Sequence, residues 1–290
     1  MPSARACAAC YSLNGKGYVF GGRNQNNKYL KDIWEYDPQT DSWTQITTFP
    51  GKGRVNAVMV SDGKDLYVGL GFAGRVYVDS CYLRDFWRYS PASGKWKRLA
   101  DFESTNTVKG TPYVVDNKIY VLYSTGRGAS NDVVYYDINA DKWTTLPGSD
   151  KRAETCFGCT GAQSQNRCFF GLGTYRLNTK QWYEVDLSTD NWTKKSSLPG
   201  KGRQFSSCSG NDKYIYLFGG RYFAGEYTGG EVFDEFWRYD VNNDNWQYCG
   251  TMPYGRAENQ VAFTIKNKVY FGLGEDENGN IIDKLYYVED

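Results

Sequence analysis

The sequence predicts an all-β chain made of six similar units, each a small antiparallel sheet of four strands. Three observations predict it. A turn ending in tryptophan recurs five times, at Trp43, Trp96, Trp143, Trp192 and Trp246, with spacings of 53, 47, 49 and 54 residues. Six apolar runs recur in step with it, at 18–22, 66–71, 119–124, 168–173, 215–220 and 269–274, and all but the third close on glycine. The composition agrees: 290 residues hold 32 Gly, 25 Tyr and 9 Trp but only 8 Pro, which suits many short strands joined by turns. A repeat of roughly 48 residues accounts for the whole chain as one closed array.

Each element has a local reason. The first strand of a unit is a short apolar run, as at 56–60 and 260–264. Turn pairs follow it: Asn14-Gly15, Asp62-Gly63, Asp116-Asn117 and Asn211-Asp212, the composition of tight hairpins. The second strand is the apolar run, and its closing glycines give the backbone positive-φ freedom and room for close approach. The third strand alternates, as in Asp32-Ile-Trp-Glu-Tyr36, Asp85-Phe-Trp-Arg-Tyr89 and Glu235-Phe-Trp-Arg-Tyr239. The turn Asp-x-x-x-Asp/Gly-x-Trp then opens the fourth strand, and its tryptophan supplies a large apolar plate. A lone sheet of this kind has two faces to cover, and radial stacking around an axis covers both. The units run 1–49, 50–102, 103–148, 149–198, 199–252 and 253–290. The sixth stops after its third strand, at Tyr286-Tyr-Val-Glu-Asp290, and Met1-Pro-Ser-Ala-Arg5 aligns with Met252-Pro-Tyr-Gly-Arg256. The alignment carries the expectation that a strand upstream of residue 1 completes the sixth sheet.

The Gly-Gly end of the second strand, the Tyr-Asp of the third and the Trp of the fourth resemble kelch repeats over essentially the whole chain. The resemblance implies a six-bladed kelch β-propeller in one domain. Phe-Pro-Gly-Lys-Gly-Arg54, Leu-Pro-Gly-Lys-Gly-Arg203 and Val-Tyr-Phe-Gly-Leu-Gly-Glu275 are similar to bacterial secreted or surface kelch proteins of galactose-oxidase-like type. Blade 3 departs from the pattern, with Tyr123-Ser124 in place of the glycines. The resemblance places the chain outside the cytoplasm, with the cytoplasm as the alternative. Residues 1–10 contain no apolar run, so no export signal lies in this sequence. No stretch of about 18 apolar residues is present to span a membrane.

Charge and the missing histidine narrow the chemistry. The 34 basic and 33 acidic residues leave a net charge of +1, which argues against nucleic acid. There is no His. Ser-His-Asp and Cys-His hydrolases are excluded, as are His-ligated metal sites, including the copper site of a true galactose oxidase. Of the eight Cys, Cys7/Cys10 and Cys156/Cys159 form CxxC pairs inside strand-like segments, where they read as core residues. A hairpin centred near Ser164 would set Cys159 opposite Cys168, close enough for a disulfide.

Ten of the fifteen arginines fall at one rim. Arg5, Arg54, Arg152, Arg203 and Arg256 precede the first strands. Arg23, Arg75, Arg127, Arg176 and Arg221 lie between second and third strands. Two readings stand. The arginines pair with acids opening the third strands, such as Asp32, Asp85, Asp132, Asp234 and Asp283, or they converge on the axis and invite an anion. The first-strand ring is read towards a ligand and the loop arginines towards pairing. In kelch domains that bind acidic peptides, arginines at the innermost strand line the channel mouth, a role the resemblance carries onto Arg54 and Arg203. Tyr82, Tyr175 and Tyr222 are candidate aromatic contacts. Glu154 and Glu258, each in Arg-Ala-Glu, are candidate acid and base. Glu275-Asp-Glu-Asn-Gly-Asn280 is an acidic loop without a full Ca²⁺ motif. The reading is a noncatalytic, monomeric binder of an acidic glycan or acidic protein segment, without cofactor or metal. The alternative is a mutarotase, epimerase or lyase acting on an acidic sugar.

Overall fold

The computed structural model describes residues 2–74, 79–103, 107–125, 133–147, 157–175, 177–223 and 230–289. Its repeated element is an antiparallel meander. In blade 1 it runs Ala9–Leu13, Lys16–Phe20, Asp32–Asp37 and Ser42–Thr48, each strand paired to the next. Blades 2 to 5 repeat it, from Val58–Ser61 to Lys95–Arg98, Thr107–Val115 to Lys142–Leu146, Thr160–Ser164 to Asn191–Lys195 and Ser207–Gly210 to Asn245–Thr251. Blade 6 has three strands, Val261–Ile265, Lys268–Gly272 and Leu285–Val288. The innermost strands touch in cyclic order, and the contact of Ala9–Leu13 with Val261–Ile265 closes the ring. The chain is therefore a six-bladed, all-β propeller.

The core is six slabs, one between each pair of neighbouring blades. Blades 1 and 2 share Phe20, Ile33, Phe49, Leu66 and Val68, and blades 6 and 1 share Val19, Tyr36, Phe263 and Tyr270. The other four junctions are built likewise. Second strands are buried along nearly their whole length because both of their faces meet a neighbour.

The recurring turn is explained by its geometry. Its first aspartate accepts the N–H two residues on, as Asp37 does from Gln39 and Asp137 from Asn139, both at 2.9 Å. Its fifth residue takes the left-handed conformation: Asp41, Asp141, Asp190 and Asp244 at φ 48, 51, 55 and 51°, and Gly94 at 66°. Hence Asp or Gly stands there. In blades 1, 3 and 5 the same aspartate accepts the third-strand tyrosine hydroxyl: Tyr36 to Asp41, Tyr136 to Asp141 and Tyr239 to Asp244, at 2.7–2.8 Å.

One expectation is corrected. The hairpin joining the first two strands of blade 4 pairs Thr160 with Gly171 and Gln163 with Cys168. Its turn is centred past Gln165, so Cys168 faces Gln163 and not Cys159. Both remain thiols. Burial pushes the Cys168 thiol up to about 12, and the Cys159 sulfur lies 3.3 Å from the Leu172 carbonyl oxygen.

Gly22 separates two effects of glycine. It lies at φ +87°, and a Cβ there would stand 2.7 Å from the Ala6 carbonyl oxygen; Gly15, at φ +75°, has open space around it. Gly15→Ala should cost about 1 kcal/mol of stability, from conformation alone. Gly22→Ala should cost about 3 kcal/mol or more, since backbone must also move. Urea unfolding of the two variants measures the gap, and equal losses would refute the close-approach role.

Candidate functional site

The arginines before the innermost strands are inside the blades. Arg5, Arg54 and Arg203 are each 0% exposed. Arg5 donates from all five N–H positions: Nε to Ser3 O, Nη1 to Gly21 O and Asp32 Oδ1, Nη2 to Ser3 Oγ and Asp32 Oδ2, at 2.9–3.1 Å. Arg54 repeats the pattern with Lys52 O, Leu70 O and both oxygens of Asp85 at 2.8–3.0 Å. Arg203 bonds Lys201 O, Gly219 O and Glu235. Each guanidinium thus ties the approach to the first strand, the end of the second and the start of the third. Phe49 lies 4.6 Å under Arg54 and Phe233 lies 4.0 Å under Arg203.

A buried fork with its donors engaged has nothing left for a ligand. The structure therefore replaces the ligand-ring expectation for these three arginines with intrablade pairing. Asp32 and Asp85 also accept the indole N–H of Trp34 and Trp87, at 2.6 and 3.0 Å. Burial pushes these two carboxyls up, but the hydrogen bond and charge of their arginine, with the indole, hold them below the usual carboxylate range. In blade 5 the acid is Glu235, not Asp234. Trp237, the counterpart of Trp34, is left with a buried indole N–H that has no partner among the described residues.

Arg256 is also corrected. Gly22, Gly173 and Gly274 donate backbone N–H bonds to the carbonyls of Arg54, Arg203 and Arg5, and Gly220 donates to Ala257. Blade 6 therefore carries Ala257 at the buried-arginine position. Arg256, one residue earlier, is exposed and pairs with exposed Glu277 at 2.9 Å. Asp283 is exposed and pairs with exposed Lys284 beside it at 3.8 Å, and among the described residues it bridges no arginine.

The mouth of the central channel is built by a belt of backbone. Asn56 N donates to Cys7 O, Cys7 N to Asn259 O, Asn259 N to Phe205 O and Phe205 N to Gly158 O, all at 2.9–3.0 Å. All five residues have positive φ, from 54 to 70°. That conformation is ordinary for Gly and Asn but strained for Cys7 and Phe205. Immediately outside the belt, short bridges join Ala6 to Arg23, Val55 to Phe72, Phe157 to Thr174 and Gln204 to Arg221. In blade 6 the equivalent pairing sets Glu258 opposite Glu275.

Two like charges directly across a ladder repel. Here each has an arginine from a neighbouring blade. Glu258 accepts from Arg221 at 2.7–2.8 Å. Glu275 accepts from Arg23 and, at 3.0 Å, from Asn259. The order Arg221–Glu258–Glu275–Arg23 runs across blades 5, 6 and 1. Both glutamates are buried, 5% and 8% exposed, while the arginine side chains are 19% and 24% exposed. Burial lowers Arg23 and the charges of Glu275 and Cys7 raise it, with a net rise; the Glu258 hydrogen bond raises Arg221.

Above the belt lies a depression of about 870 Å³, walled by Arg23, Tyr29, Phe72 and Phe205 with the amides of Asn26, Asn27, Asn56 and Asn259. It leads to a channel cavity of about 250 Å³ bordered by innermost strands of all six blades. Tyr82 is 6% exposed and packs at 5.4 Å on Phe72, so it backs the wall instead of facing a ligand. Tyr222 is half-buried under Lys201 at 5.7 Å, away from the depression's lining. Arg75, Arg127, Arg152, Arg176, Glu154 and the side chain of Tyr175 lie outside the described residues. The acidic loop is a turn in which Asp276 accepts from the backbone of Asn278 and Asn280 at 2.8 Å. Sequence reasoning missed Glu275 as partner of Glu258, and it missed the asparagines. For two of them a signal was present: Asn56 and Asn259 stand at one fixed place before the first strand, the place that Cys7, Gly158 and Phe205 take in blades 1, 4 and 5.

Comparison with known proteins places this geometry in a family. The family described as KLHDC2/KLHL20/DRC7 Kelch-repeats domain matches residues 1–173, and a Kelch motif matches 202–253. Kelch-like protein 25 of Xenopus tropicalis is 24% identical over 92% of this chain and 44% of its own length. The chain thus spans less than half of that relative. N-acetylneuraminate epimerase of Vibrio cholerae is 32% identical over 49% of this chain and 38% of its own. The solved structure titled "Structure of YjhT" superposes with a TM-score of 0.79 at 15% identity, covering 100% of this chain and 96% of that one, a likeness of fold.

Arg54→Ala leaves Asp85 without its buried partner and should cost about 3–5 kcal/mol in urea unfolding, whereas Arg256→Ala, at an exposed and solvent-screened pair, should leave stability nearly unchanged. Similar losses for the two would refute the buried-pair role. The depressed Asp85 carboxyl stabilises the fold fully above its unfolded value of about 3.9, and that stability is lost as pH falls through the lower folded value. Asp85→Asn removes this titration. Its stability gap to the parent should be widest near neutral pH and should shrink as pH falls below about 4. A gap constant with pH in urea titrations would contradict the assignment.

Proposed function

Because this chain belongs to the kelch-repeat family, we propose that it acts as a ligand-binding propeller, with its site in the depression at the channel mouth. The observation that carries the reading is the lining: one partly exposed guanidinium, Arg23, beside four asparagine amides and the rings of Tyr29, Phe72 and Phe205. Planar guanidinium suits a carboxylate. Amides match hydroxyl and acetamido groups, and aromatic plates stack on sugar faces. The combination favours an acidic glycan fragment over an acidic peptide. A relative's name, N-acetylneuraminate epimerase, supports an acidic sugar from outside the geometry.

A second reading rests on the paired glutamates. Glu258 and Glu275, one pairing apart across the ribbon and each held by an arginine, are a carboxylate pair beside the mouth. Such a pair can supply acid and base for epimerisation or anomerisation of an acidic sugar. A noncatalytic site needs them only to neutralise the arginines.

Titration calorimetry with N-acetylneuraminate and glucuronate, against neutral sugars, tests both. Arg23→Ala should weaken acidic-sugar binding by about ten- to hundredfold while leaving the protein more stable than Arg54→Ala. Equal binding of neutral sugars, untouched by Arg23→Ala, would overturn the acidic-ligand reading. Anomer exchange followed by NMR, present in the parent and lost in Glu258→Gln with binding retained, would select the enzyme.

A further inference from the structure

The rim outside the mouth carries its charge unevenly. One place recurs from blade to blade, the residue just before the start of the third strand, whose carbonyl accepts an N–H from just past the fourth. Lys31, Arg84 and Lys180 hold it in blades 1, 2 and 4, accepting from Phe49, Phe102 and Leu198 at 2.8–3.0 Å. In blade 5 it is Asp234, accepting from Met252 at 2.6 Å. In blade 6 it is Asp283, since Lys284 takes the place of Asp32 and Asp85 in bonding the end of the second strand. Blade 3's counterpart lies outside the described residues.

The loop before the first strand shows the same contrast. Pro-Gly-Lys-Gly-Arg occurs at 50–54 and at 199–203. In the second copy Lys201 Nζ meets Glu231 at 2.5 Å. In the first copy Lys52 has no such acid. A Cβ on Gly53 would strike the Tyr29 carbonyl, and one on Gly51 would stand 2.5 Å from the Asp85 carboxylate. Lys52 is thereby set between Lys28 and Lys31 of blade 1 and Arg84 of blade 2. All four are exposed. Among the described residues none of the four pairs with a carboxylate, and Arg84 donates to the Glu103 backbone carbonyl at 3.4 Å. Across the rim, over blades 5 and 6, Glu231, Glu277 and Asp283 are matched by Lys201, Arg256 and Lys284. The uncompensated cations therefore gather over blades 1 and 2, and Lys28 adjoins Asn27 and Tyr29 of the depression's wall.

We propose that this arc of Lys28, Lys31, Lys52 and Arg84 is a second binding surface continuous with the depression, and that it takes the further residues of a polyanionic glycan. The inference rests on the acidic-sugar reading of the depression: one acidic residue sits against Arg23, and the chain runs outward over the junction of blades 1 and 2. Uncompensated like charges side by side repel, and a ligand bearing one negative charge per residue relieves them. Lysine heads are mobile point charges without the fixed fork of arginine, which suits repeated anions on a flexible chain more than one precisely held group. The backbone here is already occupied. The carbonyls of Lys28, Leu30 and Lys31 accept from Asn24, Arg54 and Phe49, and the N–H groups of Lys28 and Leu30 donate to Asn24 Oδ1 and Gly22 O. A peptide would gain no strand-like main-chain bonds from it, so the arc favours a glycan. Linking the second contact to the first makes it intramolecular, so affinity should rise with chain length.

Titration calorimetry of the full chain with oligogalacturonides and with oligomers of N-acetylneuraminate, each of one, three and six residues, tests this. For at least one series the hexamer should bind about tenfold or more tighter than the monomer, and the gain should fall as salt is raised. A combined Lys28→Ala, Lys31→Ala and Lys52→Ala variant should keep the monomer affinity and the thermal unfolding midpoint but lose the gain. Arg23→Ala should weaken monomer and hexamer alike. No gain with length in either series, or a gain that survives the triple variant, overturns the arc. Where the monomer still binds through Arg23, the reading of the depression stands without it. A lysine-dependent gain indifferent to Arg23→Ala upholds the arc and overturns the depression. An acidic peptide, hexaglutamate, bound through the same lysines more tightly than either hexamer overturns the glycan assignment.

Discussion

A short antiparallel sheet with two apolar faces cannot stay in water alone, and everything in this molecule follows from covering both. Each blade supplies one face to the neighbour before it and one to the neighbour after it. The cost of an open end is two bare faces, so the array closes on itself at the Ala9–Leu13 and Val261–Ile265 junction. Closure fixes the direction of every innermost strand and brings the loops before them to one mouth. The belt of backbone bonds through Cys7, Asn56, Asn259, Phe205 and Gly158 is a consequence of that convergence.

The buried arginines solve a second problem set by the same geometry. Where a second strand ends at the mouth, its last carbonyl points into the blade and needs a donor. The carbonyls of Gly21, Leu70 and Gly219 all find one in an arginine sixteen residues earlier. The arginine then needs a counter-charge, which the first residue of the third strand gives. Breaking either partner strands a charge, although the intact pair adds little net stability over an apolar plug. Blade 6 uses such a plug. Ala257 replaces the arginine and Lys284 stands where the acid would be. Tyr254 packs on Phe271 and Tyr286 at 6.1 and 5.6 Å.

This division explains what was legible in the sequence. Period, strand order and turn chemistry depend on local residue type, so Trp43, Gly22 and the Asp37–Asp41 turn announced themselves. The fate of an arginine depends on one residue of register and on depth, which sequence does not carry. Arg5 and Arg256 look equivalent beside Met-Pro, yet the belt bond through Asn259 shifts blade 6 by one residue and throws Arg256 outward. Glu258 was visible as a carboxylate after an arginine. Its partner Glu275 was not, because the pairing belongs to a two-residue ribbon that no periodicity marks.

The one-residue shift also moves charge from inside a blade to the mouth. At the position of Ala6, Val55 and Gln204, blade 6 places Glu258, and across from it, where blades 1 and 5 have arginine, it places Glu275. Blade 6 therefore gives up its internal ion pair and presents two acids to its neighbours' arginines. The asymmetry of the mouth thus comes from the blade that departs from the repeat. That is where a propeller built from like units acquires a site unlike its other five sectors.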